Sequence, residues 1–93
     1  MDNSTPSLEK TVSIVNDLGL HARAAARLAK AASRAGGPVW LVSGGQKVDA
    51  TSVIDILTLA CCKGTTVTLQ VDSPADIDVL NELEALVKSG FGE

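Results

Sequence analysis

Aromatic residues are nearly absent, with only Trp40 and Phe91 among 93 residues. That argues against a surface that stacks nucleic-acid bases on aromatic platforms. Positive charge is also in deficit, eight basic residues against eleven acidic ones for a net charge of −3. A nucleic-acid-binding domain usually carries the opposite balance. No apolar run reaches the about 18 residues that a membrane span needs, so membrane insertion is not expected. The opening stretch MDNSTPSLEK is polar and lacks the apolar centre of a signal peptide, which makes a cytoplasmic setting the expectation. The two cysteines, Cys61 and Cys62, are adjacent. They form no disulfide framework, have no second pair for zinc, and read as small apolar filler near a helix end. A single histidine is too few for a structural metal site, which wants about four ligands, so no metal and no cofactor are expected.

What is present is apolar patterning, 45% of the chain, enough for one modest core at this length. Residues 1–8 read as a flexible arm and 9–93 as a single domain. From Thr11 to Val15 and from Thr66 to Val71 the apolar residues alternate, so Val12 and Ile14 share one face, as do Val67, Leu69 and Val71. One-sided strands favour an antiparallel sheet covered on one face. Gly44-Gly45 between Pro38–Ser43 and Gln46–Ala50 signals a hairpin whose short, polar second arm suits a sheet edge. Trp40 is expected on the open side of that sheet, beside threonines or as a mark of self-association.

Three segments have helical spacing. The first runs from Ala22 to Ala35 and is stopped by Gly36-Gly37-Pro38. The second starts at a Ser52 cap and ends near Ala60, with Val53, Ile56, Leu57 and Ala60 as its core stripe. The third opens on Ser73-Pro74-Ala75-Asp76 and ends before Gly90. The order β-α-β-β-α-β-α predicts an α+β fold: an open-faced two-layer sandwich, with a four-stranded antiparallel sheet and three helices on one face.

The only histidine, His21, stands where the first helix begins, in Leu18-Gly19-Leu20-His21-Ala22-Arg23. The first N–H groups of a helix lack internal partners, and the helix dipole adds positive character there, so this end attracts anions such as phosphate. Gly19 permits a positive φ just before it, and Arg23 brings a multidentate charge. The same field disfavours imidazolium and keeps a nucleophilic, neutral ring. The combination suits reversible phosphorylation of His21. The plainer alternative is a histidine that caps the helix or sits half-buried. A Ser-His-Asp arrangement using Ser52 and Asp17 lacks a nucleophile elbow.

Gly19-Leu20-His21-Ala22-Arg23 resembles the active-site motif of HPr, the histidine-containing phosphocarrier of the bacterial phosphotransferase system. The resemblance extends through Ser52-Val53-Ile54, Leu57 and Lys63-Gly64, and Ser89-Gly90-Phe91 is similar to the tail of the nitrogen-related branch. It implies that His21 accepts a phosphoryl group from phosphorylated Enzyme I, on Nδ1 (a pros-phosphohistidine), and passes it to a IIA-type protein. It also implies that Arg23 steadies the phosphate and that Ser52 matches a serine phosphorylated by a regulatory kinase in part of the family. On this reading the chain is a carrier rather than an enzyme. Two departures stand out: Ala24 replaces the family's usual proline, which removes rigidity more than chemistry, and Asp55 replaces a small residue on the partner-facing helix.

Arg23, Arg27, Lys30 and Arg34 fall on one helical stripe, either a solvated face or a handle for an acidic partner. Val53, Ile54 and Leu57 are the apolar candidates for docking Enzyme I and a IIA-type protein, with Ile54 off the core stripe. A monomer is expected. A different class remains open: a regulatory binding protein acting by partner occupancy, with or without Ser52 phosphorylation. A small-ligand sensor is disfavoured by the lack of a glycine-rich nucleotide loop and of room for an enclosed pocket.

Overall fold

The computed structural model describes residues 8–93. Of the arm expected over 1–8, all but Leu8 lies outside the described residues. Leu8 itself is half-buried against the core, and its carbonyl accepts from the Val71 N–H at 2.9 Å.

Four strands, β1 (Glu9–Ser13), β2 (Val39–Ser43), β3 (Gln46–Asp49) and β4 (Thr66–Val71), form one antiparallel sheet in the order β1-β4-β2-β3. Helices α1 (Ala22–Ala32), α2 (Val53–Thr58) and α3 (Ile77–Lys88) cover one face. Alternation fixes which face that is. Val12, Val39, Leu41, Val67, Leu69 and Val71 all point into the core, a set that a one-residue register slip would expose. The β2–β3 turn has positive φ at Gly44 (57°) and Gly45 (81°), the geometry that matches the twist of a two-residue hairpin. No helix among the described residues is long and apolar enough to cross a membrane.

Several boundaries differ from the sequence reading, for physical reasons. β1 begins two residues earlier and ends at Ser13, because its register pairs Glu9 with Gln70 and Ser13 with Thr66. The chain then leaves the sheet, and Val15 turns outward at 47% exposure. α1 stops at Ala32 rather than Ala35. The Ser33 hydroxyl bonds back to the Ala29 carbonyl at 2.8 Å, and the N–H groups of Arg34 and Ala35 tighten to carbonyls three residues back. The next two N–H groups, of Gly36 and Gly37, are taken by the buried Asp76 carboxylate at 2.9 and 3.0 Å. Asp76 thereby ties the loop after α1 to the start of α3. Ahead of α3, the Ser73 hydroxyl accepts from the Ala75 N–H over a short 3-10 turn, Pro74–Asp76.

α2 also ends early, and its core stripe needs correction. Ile56 is buried and Val53 partly so, but Leu57 is 39% exposed and Ala60 is exposed. Leu59 packs on the core instead. After the Leu59 cap, Ala60 takes a positive φ of 51°, which swings the chain off the helical spacing assumed for the stripe. Cys61 is buried filler, whereas Cys62 is exposed. On the open face, Thr11 and Thr68 pair with each other through their hydroxyls at 3.0 Å. Trp40 is anchored apart from them: its indole N–H donates to Asp72 at 3.0 Å, and the Lys47 ammonium lies 4.9 Å from its ring centroid.

Candidate functional site

The loop from β1 to α1 is held by its neighbours before any chemistry is considered. The Leu20 N–H donates to the Cys61 carbonyl at 2.8 Å, and the Leu20 side chain is buried. Gly19 makes that close approach possible. Its φ is +65°, and a Cβ there would lie 2.5 Å from the Cys61 oxygen and 2.8 Å from the Cys62 Cα. No side chain fits, and the left-handed backbone would strain any residue other than glycine.

His21 follows at once as the N-cap residue of α1, with extended backbone (φ −77°, ψ 178°), and its carbonyl accepts the first helical bond, from the Ala25 N–H at 2.8 Å. Its side chain makes no capping bond to the helix. The N–H groups of the first turn, which have no carbonyl to bond within the helix, are therefore left beside the ring rather than covered by it. No acidic residue occupies that first turn. Burial of Ala24, Ala25, Leu28, Ala29, Ala31 and Ala32 orients α1, and small alanines let it lie close against α2 and α3.

The imidazole is 26% exposed, and its Nε2 is paired with the Glu93 carboxylate. Glu93 is positioned from two sides. Buried Asn16 donates from its amide to the Gly19 carbonyl at 2.8 Å and to Glu93 Oε1 at 3.2 Å, which links the loop before His21 to the 90–93 segment. Phe91 is fully buried, and its carbonyl accepts from the Arg27 guanidinium. The hydrogen bond with His21 holds the Glu93 carboxyl below the ordinary glutamate range, with Asn16 and the nearby Arg23 charge acting in the same direction. Arg23 is exposed and makes no hydrogen bond among the described residues. Leu18, His21, Arg23, Arg27, Gly92 and Glu93 line one open cleft.

The other residues singled out in the sequence fall nearby or apart. Ser52 caps α2, its hydroxyl accepting from the Asp55 N–H at 3.2 Å. Ile54 is 75% exposed beside it. The basic stripe is broken up: Arg27 is engaged by Phe91, and Arg34 lies past the helix end and pairs with Glu82. Asn16 and Glu93 were not anticipated. Their partners lie across 77 and 72 residues of sequence, beyond the reach of any local pattern. Asn16 did leave a faint signal: it continues the inward alternation of Val12 and Ile14, where a polar residue must find a partner.

The family model described as the PTS HPr component phosphorylation site matches residues 8–89. The chain belongs to the HPr family. Phosphocarrier protein HPr of Cupriavidus necator is 40% identical over 86 residues, 92% of this chain and 97% of that one. Phosphocarrier protein NPr of Shewanella violacea is 42% identical over 87 residues, 92% of this chain and 94% of its own, so both HPr and NPr relatives are represented. The crystal structure of HPr from Thermoanaerobacter tengcongensis superposes with a TM-score of 0.86 at 34% identity, covering 91% of this chain and 96% of the other. The HPr fold neighbours share the β-α-β-β-α-β-α order seen here.

Proposed function

We propose that the protein is a working phosphocarrier of the phosphotransferase system, in which His21 accepts a phosphoryl group from phosphorylated Enzyme I and passes it to a IIA-type protein. The observation that carries this reading is the placement of the His21 ring at the N-terminus of α1 without a capping bond, beside N–H groups that are free to meet phosphoryl oxygens. A neutral ring nitrogen attacks phosphorus as the P–N bond to the donor histidine breaks, and the donor nitrogen keeps that electron pair. Phosphoryl transfer asks the protein for position and charge stabilisation above all, and the helix start and Arg23 supply both. Ala24 retains a good helix former where the family usually has proline, so the first turn keeps its shape.

Partners dock on the rim of this site. Ile54 and Leu57 offer apolar surface, Val53 flanks them half-buried, and Arg23 and Lys30 face an acidic partner, with Arg27 contributing through its second role in holding Phe91. Phosphorylation of Ser52 by a serine kinase would add negative charge between these groups and slow docking while the helix dipole tolerates it. The carrier acts in the cytoplasm as a monomer, residues 9–93 forming the domain. The test is incubation with phosphoenolpyruvate and Enzyme I. Acid-labile, alkali-stable phosphate on the wild type and none on His21→Ala is expected, and a folded wild type that takes up no phosphate would leave the partner-occupancy alternative in its place.

A further inference from the structure

The exposed face of α2 sets a charge beside apolar side chains. Successive helical residues are turned by about 100°, so Ile54 lies near the middle of that face, with Leu57 on one side and Asp55 on the other. Ile54 is 75% exposed and Leu57 39% exposed, while Ile56 on the opposite face is buried in the core. Asp55 is half-buried. Its backbone belongs to the helix start: the N–H donates to the Ser52 hydroxyl at 3.2 Å, and the carbonyl accepts from the Thr58 hydroxyl. Its carboxylate is favourably placed in the first turn, but among the described residues no hydrogen bond or ion pair reaches it. By contrast, the carboxylates of Asp17, Asp49, Asp72 and Asp76 each accept a hydrogen bond, at 2.8, 2.8, 3.0 and 2.9 Å.

A protein that buries Ile54 must also cover the carboxylate beside it. Taken out of water and left unpaired, that charge opposes docking; met by a cation, it favours docking. The same holds with the sign reversed on α1, where Arg23 and Lys30 are exposed. The docking face is therefore divided by charge, basic along α1 and acidic on α2. We infer that Asp55 is a specificity-determining residue: it selects an Enzyme I whose face offers a Lys or Arg against α2 and acidic groups against α1, and it rejects one that is acidic throughout. This rests on the phosphocarrier reading above, in which every phosphoryl group enters through Enzyme I, so that encounter is where discrimination decides what the chain receives. Ile54 and Leu57 supply attraction without direction. Asp55 supplies exclusion, and the opposed signs on one face fix the partner's orientation, because turning it round sets like charges together.

The test measures transfer from the cognate Enzyme I to wild type, Asp55→Glu, Asp55→Asn and Asp55→Lys at about 0.05 and about 0.5 M salt, with calorimetric binding to the same Enzyme I alongside. Circular dichroism checks the fold of each variant, and Asp55→Asn, which keeps the shape, decides the matter if Asp55→Lys does not fold. At low salt we expect KM for the carrier to rise about threefold in Asp55→Asn and about tenfold in Asp55→Lys, with kcat unchanged within about twofold and Asp55→Glu close to wild type. At high salt the differences shrink to within about twofold, because screening weakens the pairing of charges near the surface. Equal KM values at low salt overturn the inference while the carrier reading stands. So does a loss that is the same at both salt concentrations, a loss in kcat alone, or a lower KM in Asp55→Lys, which would mean an acidic surface opposite α2. If only the onward step to a IIA-type protein responds, Asp55 selects the acceptor and its assignment to Enzyme I is overturned. If the wild type takes no label but its binding to Enzyme I weakens from Asp55→Asn to Asp55→Lys, the carrier reading falls and selection by Asp55 stands; if binding does not respond either, both fall.

Discussion

Gly19→Ala isolates the backbone device that presents His21. Two costs add. An alanine at φ +65° pays the left-handed penalty, about 1–2 kcal/mol. Its Cβ would also lie 2.5 Å from the Cys61 oxygen, a backbone atom that cannot swing aside like a flexible side chain. Relief requires the 19–20 loop and the Cys61-Cys62 backbone to separate, which loosens the 2.8 Å bond from the Leu20 N–H to that same oxygen and forfeits a further ~0.5–1.5 kcal/mol. The sum is about 1.5–3.5 kcal/mol, a large part of the stability of a small domain. It corresponds to a fall in Tm of about 6–28 °C. Gly64→Ala is the control. Its φ is +91°, but nothing lies within 4 Å of the added Cβ, so only the conformational penalty of about 1–2 kcal/mol applies. Urea unfolding of both variants, followed by far-UV circular dichroism, gives the two values. A Gly19→Ala variant no less stable than Gly64→Ala would refute the claim that close approach to Cys61, beyond φ alone, fixes glycine there.

Asp76→Ala should cost about 2–4 kcal/mol, because two N–H groups lose a charged acceptor at a half-buried site, and denaturant unfolding with an unchanged midpoint would contradict that. Ser52→Ala should cost roughly 0.5–2 kcal/mol through loss of the α2 cap. Ser52→Asp, which caps as well as serine, should stay folded yet accept phosphate from Enzyme I more slowly, and stopped-flow transfer at the wild-type rate in low salt would show that Ser52 is only a cap. Glu93 has a pH signature. Its carboxyl is lowered in the folded state, so the contact with His21 is fully present above the unfolded value of about 4.3 and is lost as pH falls through the lowered one. Carbon-13 titration should place the Glu93 midpoint below that of an unstructured glutamate and move it up in His21→Ala; equal midpoints in both forms would disprove the pairing.

Strands and hairpin were legible because their signals are local. Alternation in Val67, Leu69 and Val71 and the two turn glycines depend on near neighbours, and β4 and the hairpin appear where they were expected. His21 at a helix start was legible for the same reason: a glycine, a cap position and an arginine within one turn. What escaped was set by contacts across the chain. The loop that follows α1 is held by Asp76, which takes the Gly36 and Gly37 N–H groups and which no pattern near Ala35 announces. The start of β1 is decided by its register on β4. Leu57 reads as core on an ideal helix but is left partly exposed by a helix too short to carry the stripe. Within the site, the helix-side half was readable and the Asn16–Glu93 half was not, since it exists only once β1 and the 90–93 segment are brought together.

The central claim is that His21 is the phosphoryl acceptor and that the group moves on from it. The direct measurement is mass-spectrometric mapping of the phosphate after reaction with phosphoenolpyruvate and Enzyme I, followed by a chase with a IIA-type protein. The account predicts one phosphoryl group per chain, carried on His21 and lost from it as the IIA-type protein gains it. Phosphate found on another residue, or phosphate on His21 that stays there through the chase, would contradict it.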